Sequence, residues 1–376
     1  MDFSIVVPTW NRSELVEALL KSLYDERSRY KSGKTEVLIV DSSTGSEKDR
    51  IVSACEKYDA KYIEGVDSVR KKRNKGIDSA QFEYVLFIDS DVTVKEGLLQ
   101  AHANTLKEGE NNPKITGSFG LTEFVGERKF WFKVVEYTSF LNSFSFAKLM
   151  PFVSWCIGNN VALRKDELIK IGKFEEDFPF KLGGDDLEMT YRYTSAGNLI
   201  KTSPEAVTYH SRETWNNHKA IHDRAKRWGT MEYYILKRFP ELVHRRLPMT
   251  EDVVALVTLV FGAVALFRWS LTPLLFLASW DILLFIMLYV HRVREHGRTN
   301  LFYWTIASFE QSKYRFYRLL VSLKERDLSL AFQGQFFGIY HIKADYQNNV
   351  KKTWIYYYAI IALIIVMMIY RCVMGS

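Results

Sequence analysis

The sequence predicts an α/β domain on a mainly parallel sheet with helices on both faces, followed by an all-α membrane region. Three observations predict it. Short apolar runs alternate with helix-patterned segments as far as residue 92, the order that builds parallel sheets. Two of those runs end on carboxylates, Asp41 and Asp89. Three long apolar stretches collect in the last third of the chain.

Residues 4–8 (SIVVP) read as the first strand. Asn11 or Ser13 can cap the next helix, which puts Leu15, Leu19, Leu20 and Leu23 on one face. Residues 36–43 (EVLIVDSS) form a second strand closing on Asp41, followed by a helix through Ile51, Val52 and Cys55. Residues 60–64 (AKYIE) are a third strand. A basic helix from about residue 69 to 80 then leads into YVLFIDSD, residues 84–91. In such sheets ligands bind at the carboxyl ends of strands, which places Asp41 and Asp89 at a crevice. ITGSFGLTEF reads as a strand or hairpin, KFWFKVVEYTSFLNSFSF as an aromatic amphipathic stretch, and VSWCIGNNVALRKDEL as a lead into a helix. Gly183-Gly184 precede an acidic helix start, where the dipole tolerates Asp185 and Asp186. KTSPEAVTYH ends this part at His210.

A net charge of +7 and 15% aromatic residues suit anionic partners and a membrane interface. The run Arg70-Lys71-Lys72-Arg73 lacks a groove-reading motif, so nucleic acid is set aside and most of its charges read as a solvated helix face. The three cysteines, Cys55, Cys156 and Cys372, share no short spacing, which excludes a disulfide scaffold and a Cys-based zinc site. No basic segment precedes the first strand, so the amino-terminal domain is expected in the cytosol.

Residues 253–267 are near the lower limit for crossing a bilayer, whereas 271–290 are long enough and 355–370 are nearly continuous, with Trp354 and Tyr356–Tyr358 as an aromatic belt. The first two form a tight hairpin, which returns the chain to the cytosolic side. The basic linker 291–352, with Phe302, Trp304, Phe309, Tyr314, Phe316, Leu319 and Leu320, reads as helices lying in the interface. The expected organisation is thus a catalytic domain over 1–232, an amphipathic linker over 233–252, a membrane hairpin over 253–290, interfacial helices over 291–352 and a final span with a short tail over 353–376. Buried core helices are the alternative. Asp281, inside an apolar stretch, is costly there and marks a position of interest.

Asp89 and Asp91, one residue apart after a buried strand, make a hard-oxygen site for Mg2+ or Mn2+, which can neutralise a departing diphosphate. The plainer reading is a solvated acidic turn. The surrounding motifs resemble glycosyltransferase family 2, the inverting sugar-nucleotide enzymes of GT-A fold, a Rossmann-like mixed sheet flanked by helices. SIVVPTWNR resembles the family's opening strand and turn, which places Pro8, Thr9, Asn11 and Arg12 on the nucleotide sugar. VLIVDSSTGSEKD is similar to its second strand, implying that Asp41 contacts the nucleobase. VRKKRNKGID resembles the segment near the diphosphate, implying Arg73 there. FIDSDV matches the metal motif, with Asp89 and Asp91 as ligands, and Asp89 also on the donor. IGNNVALRKDEL resembles the acceptor side, with Gly158, Asn159 and Asn160. GGDDLEMTYRYTSAG is similar to the block holding the catalytic base, where this chain has Asp-Asp for the usual Glu-Asp. That implies Asp186 as the base, with Asp185 next. His210 aligns with a further metal contact of some relatives. RAKRW loosely resembles the Gln-x-x-Arg-Trp motif of processive synthases, with Arg224 in place of the Gln; Arg227 and Trp228 would close over the diphosphate, or lie with their helix on the bilayer.

The resemblance covers about residues 3–212 and implies an inverting, metal-dependent transfer from a UDP- or GDP-sugar. The membrane segments add an acceptor at the cytosolic leaflet, a polyprenyl- or dolichyl-linked glycan. Two rivals stand beside it: a polyprenyl-phosphate hexose synthase, whose nucleophile is a phosphate, and a non-catalytic membrane scaffold.

Overall fold

The computed structural model describes residues 1–177, 183–244 and 297–330, with isolated positions between 282 and 294 and at 334–335. The apolar stretches 253–267 and 355–370, Asp281, most of 271–290 and most of the linker beyond 330 lie outside the described residues. Among the described residues no helix is long and apolar enough to cross a membrane.

The first half of the sheet is parallel, as its alternation with helices dictates. Strands β1 (Phe3–Thr9), β2 (Thr35–Asp41), β3 (Lys61–Glu64) and β4 (Tyr84–Ile88) lie in the order β3-β2-β1-β4. Every residue of β1 and β4 is buried, because helices cover both faces. Phe3, Ile5 and Val7 of β1 share a core with Leu19 and Leu23 of α1 (Ser13–Arg29) and with Ile51 and Cys55 of α2 (Gly45–Lys57). Val6 points to the other face and meets α3 (Val69–Ser79) at Gly76, where any Cβ would overlap it. That missing side chain lets the basic helix lie directly on the sheet.

The expected cap of α1 is replaced. Arg12 occupies the N-cap position without a side-chain cap, and Asn11 takes a left-handed φ of 49° with its N–H on Ser43 Oγ at 2.7 Å. The Ser13 N–H and hydroxyl instead reach the Glu47 carboxylate of α2, at 2.9 and 3.1 Å. These bonds, the backbone N–H first, hold the Glu47 carboxyl below its usual range.

Beyond β4 the sheet becomes mixed. β5 (Val92–Val94), α4 (Leu98–Lys107), β6 (Ile115–Val125), α5 (Phe130–Val135), α6 (Phe146–Leu149), β7 (Phe152–Val153), β8 (Asn160–Arg164), α7 (Lys165–Lys170), α8 (Asp185–Ser195) and β9 (Leu199–Ser211) follow in sequence. β8 runs antiparallel to β4, so Asn160 faces Ile88 and the segment before β8 arrives beside the acidic end of β4. β9 runs antiparallel to β5, so His210 faces Val92. These two antiparallel pairings assemble the site.

The described residues belong to one compact unit. Helix α9 (His218–Arg238) runs through the boundary expected at 232 and packs along α10 (Leu301–Lys324). Their axes approach closely because Gly229 has no side chain; a Cβ there would overlap the Tyr314 carbonyl oxygen. Arg318 of α10 and Glu232 of α9 pair at 2.8 Å. In the stretch 224–228 Ala225 is buried, with Ile221, Phe132, Phe140 and Trp215, while Lys226 is exposed.

Candidate active site

The carboxyl edge of the parallel strands collects the predicted nucleotide side. Asp41 is fully buried and accepts the Ser43 N–H at 3.1 Å, the Ser43 hydroxyl at 2.7 Å and the Tyr62 hydroxyl at 3.2 Å. Pro8 and Thr9 lie beside Val40 and Asp41 in register. The Thr9 carbonyl accepts a hydrogen bond from Lys72 Nζ at 2.7 Å, and Nζ also reaches Ser42 Oγ at 2.9 Å. Sequence reasoning missed Lys72. Of the basic run only Lys71 is exposed; Arg70, Lys72 and Arg73 are buried, because their hydrogen-bond acceptors come from other segments. Arg70 bonds the Gly183 carbonyl at 3.1 Å. The signal available was Arg70 and Arg73 at i,i+3, on one face.

Arg73, expected on the diphosphate, bridges two acidic segments instead. One nitrogen reaches Asp89 at 3.0 Å and the other Asp185, while the guanidinium lies over the Phe174 ring at 5.4 Å. Gly158 backs it so closely that a Cβ would stand 2.9 Å from the guanidinium. Asp186, the next residue of α8, points elsewhere and accepts the N–H groups of Gly158 at 3.1 Å and Leu187 at 2.9 Å. Burial, and then the charge of Asp185, raises the Asp186 carboxyl above its ordinary range. Burial likewise holds the Asp89 carboxyl up, to about 7, against the pull of Arg73; Asp91, Asp186 and Asp185 add to the rise.

Asp91 lies on the other side of this crevice. Its Oδ2 meets Arg12 at 3.0 Å and its Oδ1 stands 3.6 Å from His210 Nε2. His210 Nδ1 lies 3.0 Å from the Ser211 carbonyl, which only accepts, so Nδ1 carries a proton and Nε2 is the nitrogen turned toward Asp91. Phe124 and Phe144 hold the ring, with centroids at 5.3 and 6.0 Å. A carboxylate beside an imidazole whose far nitrogen is tied to a backbone carbonyl is a donor pair suited to a divalent cation. Asp89, predicted as a second ligand, is committed to Arg73, and among the described residues no three His, Cys, Asp or Glu side chains are gathered to hold a metal.

Arg12 pairs with Asp91, the Asp91 charge also acts on Arg224, and Arg227 neighbours Arg224 and Arg12. Arg224 stacks on Trp215 at 3.9 Å and donates to the Thr214 carbonyl at 3.0 Å. Burial, and then the neighbouring Arg227, pushes its guanidinium down to about 10. Arg227 is lowered too, mainly by burial, with Arg12 contributing. Trp228 packs against Phe140 and Trp215 at 5.4 and 6.1 Å, and borders Gly183.

The predicted acceptor segment divides. Gly158 faces the crevice through its N–H. Asn159 turns to Thr122 Oγ1 at 3.0 Å, and Asn160 donates to the Leu121 and Ala206 carbonyls at 3.1 and 2.8 Å. Both asparagines are buried and knit the sheet.

Residues 4–170 match the family model Glycosyl transferase family 2. This segment is a family 2 glycosyltransferase domain. The transferase domain's relatives include the chondroitin synthase of Pasteurella multocida (strain Pm70), 23% identical over 293 residues, which cover 66% of this chain and 28% of that protein. Validoxylamine A glucosyltransferase of Streptomyces hygroscopicus subsp. jinggangensis (strain 5008) is 27% identical over 247 residues, covering 59% of this chain and 56% of that protein. The chain spans only 28–34% of the length of the chondroitin and hyaluronan synthases it matches. The mannosyltransferase PcManGT of Pyrobaculum calidifontis, solved with GDP-Man and Mn2+, superposes with a TM-score of 0.53 at 18% identity, covering 86% of this chain and 88% of that one. The transferase domain shares that fold.

Proposed function

We propose that the chain transfers a sugar from a nucleoside-diphosphate sugar to an acceptor hydroxyl, with inversion at the anomeric carbon. The observation that carries this reading is the division of labour across one crevice. Asp91 and His210 stand on one side, with Arg12 on Asp91 and Arg224 within reach of its charge, and Asp186 on the other with its proton affinity raised. Asp91 and His210 would hold the Mg2+ or Mn2+, which supplies charge neutralisation at the departing diphosphate. Arg12, Arg224 and Arg227 bind the phosphate oxygens, and Pro8, Thr9 and Asp41 border the nucleobase. Asp186 accepts the proton of the acceptor hydroxyl. The freed oxygen forms its bond to the anomeric carbon as that carbon's bond to the diphosphate oxygen breaks, and the nucleoside diphosphate leaves with the electron pair. Arg73 ties Asp185 and Asp89 together and holds them in place beside the base.

The acceptor in this reading is a saccharide carried on a polyprenyl or dolichyl lipid at the cytosolic face of a membrane. Support comes from the apolar runs of the sequence and from relatives named for saccharide products or acceptors. With bare polyprenyl phosphate as acceptor, the nucleophile is already ionised and Asp186 only orients it. The test is donor binding in Mn2+ across a panel of UDP- and GDP-sugars, followed by transfer. Asp91→Asn loses metal-dependent donor binding; Asp186→Asn keeps binding and loses transfer to a saccharide-bearing lipid. Equal donor affinity in wild type and Asp91→Asn overturns the metal assignment. Transfer to bare polyprenyl phosphate that survives Asp186→Asn selects the synthase reading.

A further inference from the structure

Helix α10 is turned inside out. The face it buries against the transferase domain carries Glu310, Arg318 and Ser322 beside Trp304 and Ala307. The face it leaves open carries Phe302, Phe309, Phe316, Leu320 and Leu323, each 41–67% exposed. Phe302, Phe309, Phe316 and Leu323 recur every seven residues, so they form one strip along the helix. The sequence pattern treats Trp304 and Tyr314 as part of the same apolar set, but they turn the other way: Trp304 is buried and Tyr314 packs with Phe140. A helix in water buries its apolar stripe and exposes its charges. Here a charged pair is internal, and large apolar side chains face outward along about six turns.

We propose that this strip lies flat on an anionic lipid surface, with the phenylalanines among the acyl chains. Two features select lipid over a protein partner. Exposed basic residues bracket the strip at both ends, Arg294 and Arg298 before it and Lys324 and Arg326 after it, where they meet headgroup phosphates. The same chain carries apolar runs at 271–290 and 355–370, on either side of the helix in sequence. The strip deepens the membrane part of the proposed function and rests on that part alone. Because α10 packs on α9, which bears Arg224 and Arg227, it fixes the height of the crevice above the headgroups.

The test is collision accessibility of nitroxide labels on the full chain in nanodiscs of phosphatidylcholine and phosphatidylglycerol. Labels go on single cysteines at 309 and 316, with Glu14 as a reference, in a background with Cys372→Ser. The expected result is an oxygen-to-nickel-chelate ratio several-fold higher at 309 and 316 than at 14. Labels as open to the nickel chelate as at 14 place the strip in water and overturn the proposal. Labels shielded from both reagents show a protein cover, from this chain or a second copy, and overturn it equally. Since no step uses catalysis, loss of transfer activity leaves this outcome readable, and the activity reading stands or falls separately.

Discussion

Lowering the pH tests the buried network that holds β8 in place. His102 of α4 is fully buried, with Nε2 2.9 Å from Asn160 Oδ1 and Nδ1 2.8 Å from Ser118 Oγ. The Asn160 amide nitrogen is fixed by the Leu121 and Ala206 carbonyls, so Oδ1 faces the ring and Nε2 carries the proton. Nδ1 is then bare and accepts the Ser118 hydroxyl. A second proton on the ring would sit in a site without solvent, and burial lowers the imidazole from 6.5 to about 4. The folded chain therefore stays neutral at His102 where the unfolded chain takes up a proton. Stability from this group is complete above the unfolded value near 6.5 and is lost as pH falls toward 4. A gap of about 2.5 pH units at ~1.4 kcal/mol each makes that loss about 3 kcal/mol. Urea unfolding of wild type and His102→Gln at pH 7, 6, 5 and 4 isolates it. At pH 7 the variant is weaker by about 1 kcal/mol, since the Ser118 hydroxyl loses its acceptor. Wild type then loses about 3 kcal/mol more than the variant on the way to pH 4. Parallel pH curves would refute the reasoning and return Asn160 to the acceptor side.

Two further outcomes follow from buried charge. Arg318→Met removes the guanidinium paired with Glu232, a side chain only 2% exposed, and costs about 3–5 kcal/mol, whereas Arg318→Met with Glu232→Leu restores most of it; thermal melting of the two variants checks this. Arg73→Leu leaves Asp89 and Asp185 without their shared cation, which lowers the melting temperature at pH 8. Without that cation the Asp89 carboxyl, already raised by burial to about 7, binds its proton more tightly still when folded, so stability returns as pH falls toward 5. A variant whose melting deficit is equal at pH 8 and pH 5 contradicts the bridging role.

The parallel strands were legible because their residues carry the pattern themselves. Val85 to Ile88 is a buried run, and Asp41 and Asp89 end strands where ligands collect. What could not be read is what partners decide. Arg73 looks like any lysine-flanked surface arginine until α8 brings Asp185 to it from 112 residues away. Glu47 caps a helix it does not belong to. Asn160 has the residue type of an acceptor contact, but its amide matches two carbonyls and a histidine inside the sheet. Helix α10 has an amphipathic pattern with two solutions, apolar face in or out. Glu232 on α9 decides, because its buried carboxylate draws Arg318 inward.

The same pairing rule separates the carboxylates of the crevice by role. Asp91 meets Arg12, whose side chain is 46% exposed and has room to exchange that partner for a phosphate. Asp89 and Asp185 share Arg73, which is buried and fixed by Gly158 and Phe174. Asp186 has backbone N–H groups and, among the described residues, no ion pair. Amide N–H groups lower a carboxylate's proton affinity and burial raises it; at Asp186 burial and the charge of Asp185 win, whereas Asp89, raised to about 7, has an oxygen tied to Arg73. Proton abstraction needs a group that is oriented yet still basic, and in this crevice Asp186 meets both conditions. The cation side needs the opposite, a carboxylate whose counter-charge can move aside, and Asp91 with its exchangeable arginine has that property. Two aspartates with the same chemistry are thus assigned by the mobility of the positive charge beside them.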